Sequence, residues 1–363
     1  MAVPKDTIWP IEPHTAAKHQ ILRKYLDAWL PILSMYNNTM LYIDGFAGPG
    51  EYTGGEPGSP IIALEAARTH HANLAGELFF IFVEERPDRV ANLKARIAAL
   101  ELPKDFKIDV SGGTFAERMT KVLSRMDAAP EKITPTFALI DPFGFSGIPY
   151  ELIGRLMGKN KCEVLITVMV DSINRWLTHP EEKVRAEIIE TFGTEEAINI
   201  AFGHGNREQT LKDLYQRQLQ KAAKFVRYFE MRNRDNRTIY YLFFASNNRL
   251  GHLKMKEAMW KVDQMGDFRF SDATDPNQTL LFEAPTIGPL GEELSNKFRN
   301  TGLIPVSNLL EYVEDDTAYV RKHMREALIQ LEDEGRLHVA ELKRDGKKRR
   351  GGTFPDEALV SFQ

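Results

Sequence analysis

The sequence predicts an α/β fold built on a mostly parallel sheet, followed by a smaller helical domain that ends in a β-hairpin. Three observations carry this reading. Short apolar runs alternate with helix-periodic stretches through the first half of the chain. Glycine-rich turns follow several of those runs, where a chain leaves a strand and enters a helix. A shift to Asp, Asn, Thr, Pro and Gly over residues 271–291 then separates a last region with a different order of elements. Runs that are apolar throughout, and not merely at every second position, mark strands covered on both faces.

In order, residues 14–33 form an amphipathic helix with Ile21, Leu22, Tyr25, Leu26, Trp29, Leu30 and Leu33 on one broad face. Pro31 is expected to distort its last turn. Strands at 40–46, 78–83, 106–110, 137–140 and 164–170 alternate with helices at 60–70, 89–100, 114–126 and 150–157. Helices at 181–192 and 208–224 belong to an insertion near 172–224. Strands at 225–231 and 238–245 flank the turn at 232–237, and 251–262 is a further helix. An antiparallel pair closing an otherwise parallel sheet is how class I methyltransferases end. Residues 1–270 are therefore expected to form a class I (Rossmann-like) methyltransferase domain with an antiparallel last strand. After the linker at 271–291, residues 292–363 offer helices at 292–300, 306–313 and 317–334, then strands at 337–342 and 359–362 around a basic turn. That order is a winged helix-turn-helix.

Bulk properties narrow the class. At 363 residues the chain exceeds the usual size of one core. With 43% hydrophobic and 27% charged residues it is an ordinary globular composition, not a disordered one. A net charge of −4 confines any nucleic-acid contact to local patches. The single cysteine, Cys162, lies in an apolar run and reads as a buried thiol in a reducing compartment. Residues 1–13 lack an apolar core of signal-peptide length and no segment reaches the length of a membrane span, so a cytoplasmic location is expected. His70 and His71 are adjacent and there is no HExxH, so no metal site is expected.

The central motif is Asp44-Gly45-Phe46-Ala47-Gly48-Pro49-Gly50, an acidic strand end followed by glycines where the backbone turns and approaches a ligand. A dinucleotide fingerprint is the competing reading. Thr53 stands at its third glycine, however, and the next helix starts late, with Ser59 and Pro60. The pattern D-x-F-x-G-x-G resembles the first motif of S-adenosylmethionine-dependent amino-methyltransferases, which implies that the loop lies beneath the methionine part of that cofactor. Glu84 ends the second strand, where a carboxylate can accept hydrogen bonds from the ribose hydroxyls. Ser111-Gly112-Gly113-Thr114-Phe115 makes the turn beside the adenine. There Thr114 or Phe115 contacts the ring, or Thr114 caps the next helix.

Asp141-Pro142-Phe143-Gly144 follows the fourth strand. It is similar to the (Asp/Asn/Ser)-Pro-Pro-(Tyr/Phe) motif of amino-methyltransferases but carries Phe143 in place of the second proline. The resemblance makes Asp141 the acceptor of hydrogen bonds from a target amine, with Phe143 or Phe145 stacking on a base. The segments Lys18-His19-Gln20-Ile21-Leu22, Tyr42 to Gly50, Gly58-Ser59-Pro60 and Ile140 to Gly144 together resemble the three-Cys-motif partner protein (TcmP) family across most of residues 14–270. That resemblance implies a methyltransferase paired with a three-cysteine-motif protein. In the last domain, Arg321, Lys322 and Arg325 on the recognition helix and Lys347, Lys348, Arg349 and Arg350 on the wing are candidate phosphate contacts. A methyltransferase of nucleic-acid base amines is the expected function. An inactive methyltransferase-fold scaffold, or an enzyme for protein or small-molecule substrates, stands as the alternative.

Overall fold

A computed structural model describes residues 4–71, 74, 76–130, 133–263, 268–272, 288–341, 343 and 346–363. The chain divides into two compact units, one of residues 1–262 with 269–275 and one of residues 263–268 with 276–363. Most of the expected linker, Leu342 at the end of the expected strand 337–342, and Arg344 and Asp345 of the expected wing lie outside the described residues.

The first unit opens with α1 (Pro13–Ser34), which continues through Pro31 for another turn. Its sheet comprises β1 (Thr39–Asp44), β2 (Glu77–Glu84), β3 (Lys107–Gly112), β4 (Thr136–Ile140), β5 (Cys162–Val168), β6 (Phe225–Arg232), β7 (Thr238–Ser246) and β8 (Arg269–Ser271). Their spatial order is β3-β2-β1-β4-β5-β7-β6-β8. The first five strands are mutually parallel, and β7 runs antiparallel to both β5 and β6. This is the class I methyltransferase sheet, extended by β8 parallel to β6. Sequence reading missed β8, a three-residue strand that ends where the polar boundary segment begins.

Helices α2 (Ser59–His70), α3 (Pro87–Ala98), α4 (Phe115–Ala128) and α5 (Tyr150–Met157) follow the first four strands. The insertion holds α6 (Val170–Trp176), α7 (Glu182–Phe192), α8 (Glu196–Asn199) and α9 (Arg207–Ala222). Their apolar faces are part of the main core, with Phe192 against Tyr215 and Tyr215 against Phe243 of β7. Phe243 and Phe244 point to opposite faces of β7, and both are fully buried. Each such ring contributes ~1.5–3 kcal/mol of hydrophobic stabilisation. Helix α10 (Arg249–Trp260) follows β7 and packs on α1. Glu163 of β5 accepts hydrogen bonds from Tyr25 and Trp29 of α1 and from Ser246 of β7, which ties the first helix to the middle of the sheet.

The second unit contains α11 (Gly288–Phe298), β9 (Ile304–Pro305), α12 (Val306–Asp316), α13 (Arg321–Asp333), β10 (Leu337–Val339) and β11 (Leu359–Phe362). The strands form a sheet in the order β10-β11-β9. The expected recognition helix starts four residues late. Thr317 folds into a side-chain turn, its hydroxyl donating to Val313 O and accepting from Tyr319 N–H, which delays the helix to Arg321.

Candidate active site

Connections from β1 and β4 leave in opposite directions across the sheet, so a crevice opens between their C-terminal ends. Both sequence motifs fall there. One cavity of about 370 Å³ lies elsewhere, under α1 and α10, but the crevice itself holds a cavity of about 270 Å³. Phe46, Ala47, Gly48, Gly58 and Ser59 line one side of it, and Asp141, Pro142 and Phe143 the other.

Backbone bonds to both neighbouring strands pin the β1 loop. Gly45 N–H donates to Leu139 O at 2.9 Å and Ala47 N–H to Val83 O at 2.8 Å. Gly48 and Gly50 have φ of +63° and +86°, a conformation that side chains rarely adopt. Gly45 has another reason, since a Cβ there would meet the Phe115 ring at 2.5 Å. Helix α2 begins at the cavity wall with Gly58 and Ser59, and its N-terminal end suits a carboxylate.

Two acidic residues sit behind this loop and do not line the cavity. Asp44 is fully buried. Its Oδ1 accepts the Phe46 N–H, whereas Oδ2 lacks a hydrogen bond of good geometry. Burial pushes its carboxyl up to about 7, against the downward pull of the Ser59 hydroxyl and the Phe46 N–H. Glu84 is 7% exposed. Its Oε2 accepts Gly48 N–H at 3.0 Å and its Oε1 accepts Arg86 N–H at 2.8 Å, so the carboxylate braces the loop. Thr114 caps α4 in a capping box with Glu117, and Phe115 is buried beneath Phe46, with ring centroids 5.6 Å apart. The hydroxyl of the one and the ring of the other are thus already engaged.

Asp141 is not a solitary carboxylate. Lys18 Nζ donates to its Oδ2 and Thr167 Oγ1 to its Oδ1. Burial pulls its carboxyl upward, but the Lys18 ammonium and the Thr167 hydroxyl outweigh this and hold it below the ordinary range, in the ionised form. His19 lines the same cavity as a neutral imidazole, pushed down to about 3 by burial and by Lys18.

Sequence reasoning missed the residues that close this site. Trp9 packs against Phe143 and Tyr52 at ring separations of 5.3 and 5.7 Å, and the Arg89 guanidinium lies 4.6 Å from its ring. Arg86 and Arg89 hold the carbonyls of Pro4, Lys5 and Asp6, so residues 4–9 form a strap across the crevice. Phe143 supports Trp9, with the Arg89 guanidinium 5.4 Å from its ring, and lines the cavity. Lys18 did carry a signal. It lies three, four and seven residues before Ile21, Leu22 and Tyr25, a charge on a buried helical stripe.

In the second unit, Arg321 pairs with Asp356 at 3.0 Å, and Arg349 pairs with Glu332 and packs over Phe354. Both guanidinium groups are committed within the domain. Lys322 pairs loosely with Glu326 at 3.7 Å, while Arg325, Lys347, Lys348 and Arg350 are exposed. Among the described residues no group of three or more His, Cys, Asp and Glu is placed to hold a metal ion, and no helix is long and apolar enough to cross a membrane.

The strand order defines a class I methyltransferase fold, with a cavity in the crevice at its switch point. Residues 269–343 match the family model of the GMT-like wHTH domain. No curated protein matches the sequence significantly. Among solved structures, the chain is similar to Trm1 from Pyrococcus horikoshii in complex with S-adenosyl-L-methionine, at 11% identity over 100% of this chain and 95% of that one, TM-score 0.36. It is also similar to the METTL16 methyltransferase domain, at 16% identity over 62% and 83%, TM-score 0.30. A methyltransferase candidate from Porphyromonas gingivalis W83 aligns at 12% identity over 61% of this chain, TM-score 0.29, and the chain spans 40% of that protein's length. The fold is defined by the chain's own strand order and not by these distant likenesses.

Proposed function

We propose that the protein transfers a methyl group from S-adenosylmethionine to a nitrogen of a nucleic-acid base. The observation that carries this is a cavity lined both by the left-handed Gly48 of the β1 loop and by Asp141. The residues fit the cofactor. Gly48 leaves space, since a Cβ there would meet only Trp9 at 3.9 Å, and the N-terminal end of α2 faces the cavity. When bound, S-adenosylmethionine supplies an electrophilic methyl group. Asp141 orients the acceptor N–H and takes its proton, and the neutral His19 and the aromatic wall exclude water. Asp44, Gly45, Gly50, Glu84 and Thr114 act from behind the loop. The winged-helix unit, through Arg325, Lys348 and Arg350, offers the contact to the phosphate backbone. The sequence resemblance to the TcmP family adds a three-cysteine-motif protein as partner.

One observation favours a second reading, a non-catalytic scaffold: Trp9 and its strap lie against Gly48 and Phe143, across the crevice. Tritiated methyl transfer to total RNA, DNA and protein separates the two. The enzyme labels nucleic acid, and Asp141→Ala lowers the rate by roughly 10²–10⁴ while cofactor affinity stays within a few fold. Absence of transfer to every pool favours the scaffold.

A further inference from the structure

The Asp141 carboxylate and the Lys18 ammonium both line the cavity, and this pair constrains the acceptor further. The inference rests on the methyl-transfer reading above. Each carboxylate oxygen accepts about two hydrogen bonds, so Thr167 and Lys18 leave Asp141 with capacity for one more on each. Lys18 is 5% exposed, gives one of its three donors to Asp141, and lies 5.4 Å from the Tyr240 ring. Its remaining donors are a positive charge on the cavity wall, on a side chain only 7% exposed and so weakly screened.

Charge development decides what such a wall suits. An exocyclic amine of adenine or cytosine becomes positive as the methyl arrives, and a fixed ammonium opposes it. A ring N–H beside a carbonyl behaves in the reverse sense. Its nitrogen lone pair is withdrawn into the carbonyl, so it reacts only as the proton leaves, and the resulting negative charge spreads to the oxygen. A carboxylate for the proton and an ammonium for the oxygen are the complementary pair.

We propose that the acceptor is the lactam edge of a nucleobase, as in uracil, thymine, guanine or hypoxanthine, with Lys18 donating to the carbonyl oxygen. The ring N–H proton passes to Asp141 as the nitrogen–methyl bond forms. The carbon–sulfur bond breaks with its electron pair remaining on sulfur, leaving a neutral thioether. Lys18 thus serves as an oxyanion donor as well as the residue that keeps Asp141 ionised.

Two measurements test this. Calorimetry on cofactor-free protein compares inosine, a neutral lactam with a ring N–H beside a carbonyl, with adenosine, which has neither. The expected result is at least tenfold tighter binding of inosine, and loss of that preference in Lys18→Met. Equal binding by the wild-type protein, or a preference that survives in the variant, overturns the proposal. Tritiated methyl transfer to poly(I), poly(U), poly(A) and poly(C) is the second. Label in poly(I) or poly(U), and none in poly(A) or poly(C), supports it. Label confined to poly(A) or poly(C) overturns the lactam assignment while the methyl-transfer reading stands, and no label in any polymer overturns both.

Discussion

Replacing Glu84 by alanine should damage both the fold and the cofactor site. The carboxylate is 7% exposed and accepts two backbone N–H groups, Gly48 at 3.0 Å and Arg86 at 2.8 Å. A hydrogen bond to a charged group contributes ~1.5–3 kcal/mol, so losing both removes at least about 3 kcal/mol. For a domain of this size each kcal/mol shifts Tm by about 2–4 °C, which places the expected fall near 6–12 °C. Gly48 is the residue that Glu84 holds in its left-handed turn, so S-adenosylmethionine affinity should fall more than tenfold together with Tm. Glu84→Gln keeps the shape but turns one oxygen into an NH₂ group facing an N–H donor, and should lie between the two. Differential scanning calorimetry and isothermal titration on the same three proteins provide the check. A loss of affinity with Tm unchanged within 2 °C would make Glu84 a pure ligand contact and refute its role as a brace.

Three further predictions concern charge. Asp44 has its carboxyl raised from 3.8 to about 7 by burial, so the folded state binds the proton more tightly than the unfolded state. Its contribution to stability therefore declines as pH rises from about 4 to about 7, by ~4 kcal/mol at ~1.4 kcal/mol per unit. Asp44→Asn should abolish that slope in urea titrations, and an unchanged slope would mean that the carboxyl is solvated in solution. On the wing, Lys348→Ala with Arg350→Ala should reduce the salt slope of nucleic-acid binding by about 0.9 for each lost phosphate contact. Arg349→Ala should instead lower thermal stability, because it breaks the Glu332 pair and uncovers Phe354. A salt slope that does not respond to the first change would remove the wing from the interface.

Much of the sheet was legible because its central strands are buried and read as apolar runs, as in Phe79 to Val83 and Phe137 to Ile140. The strands that escaped are the short ones. Arg269–Ser271 and Ile304–Pro305 have too few residues to show a pattern and are created by their neighbours β6 and β11. The site was half legible. Residues that turn the backbone at a strand end, Asp44 to Gly50 and Asp141 to Phe143, announce themselves locally. Lys18, Thr167, Trp9 and Tyr240 reach the same cavity from distant segments, and only tertiary packing brings them together. The roles of Glu84 and Thr114 depend on which backbone groups lie beside them, and spacing does not reveal that.

Isothermal titration of the purified protein with S-adenosylmethionine and with S-adenosylhomocysteine tests the central claim most directly. One site per chain is expected for each, lost in Gly48→Asp, whose side chain cannot adopt the +63° turn without strain and would project toward Trp9. Wild-type protein that gives no binding heat with either ligand at millimolar concentration would contradict it.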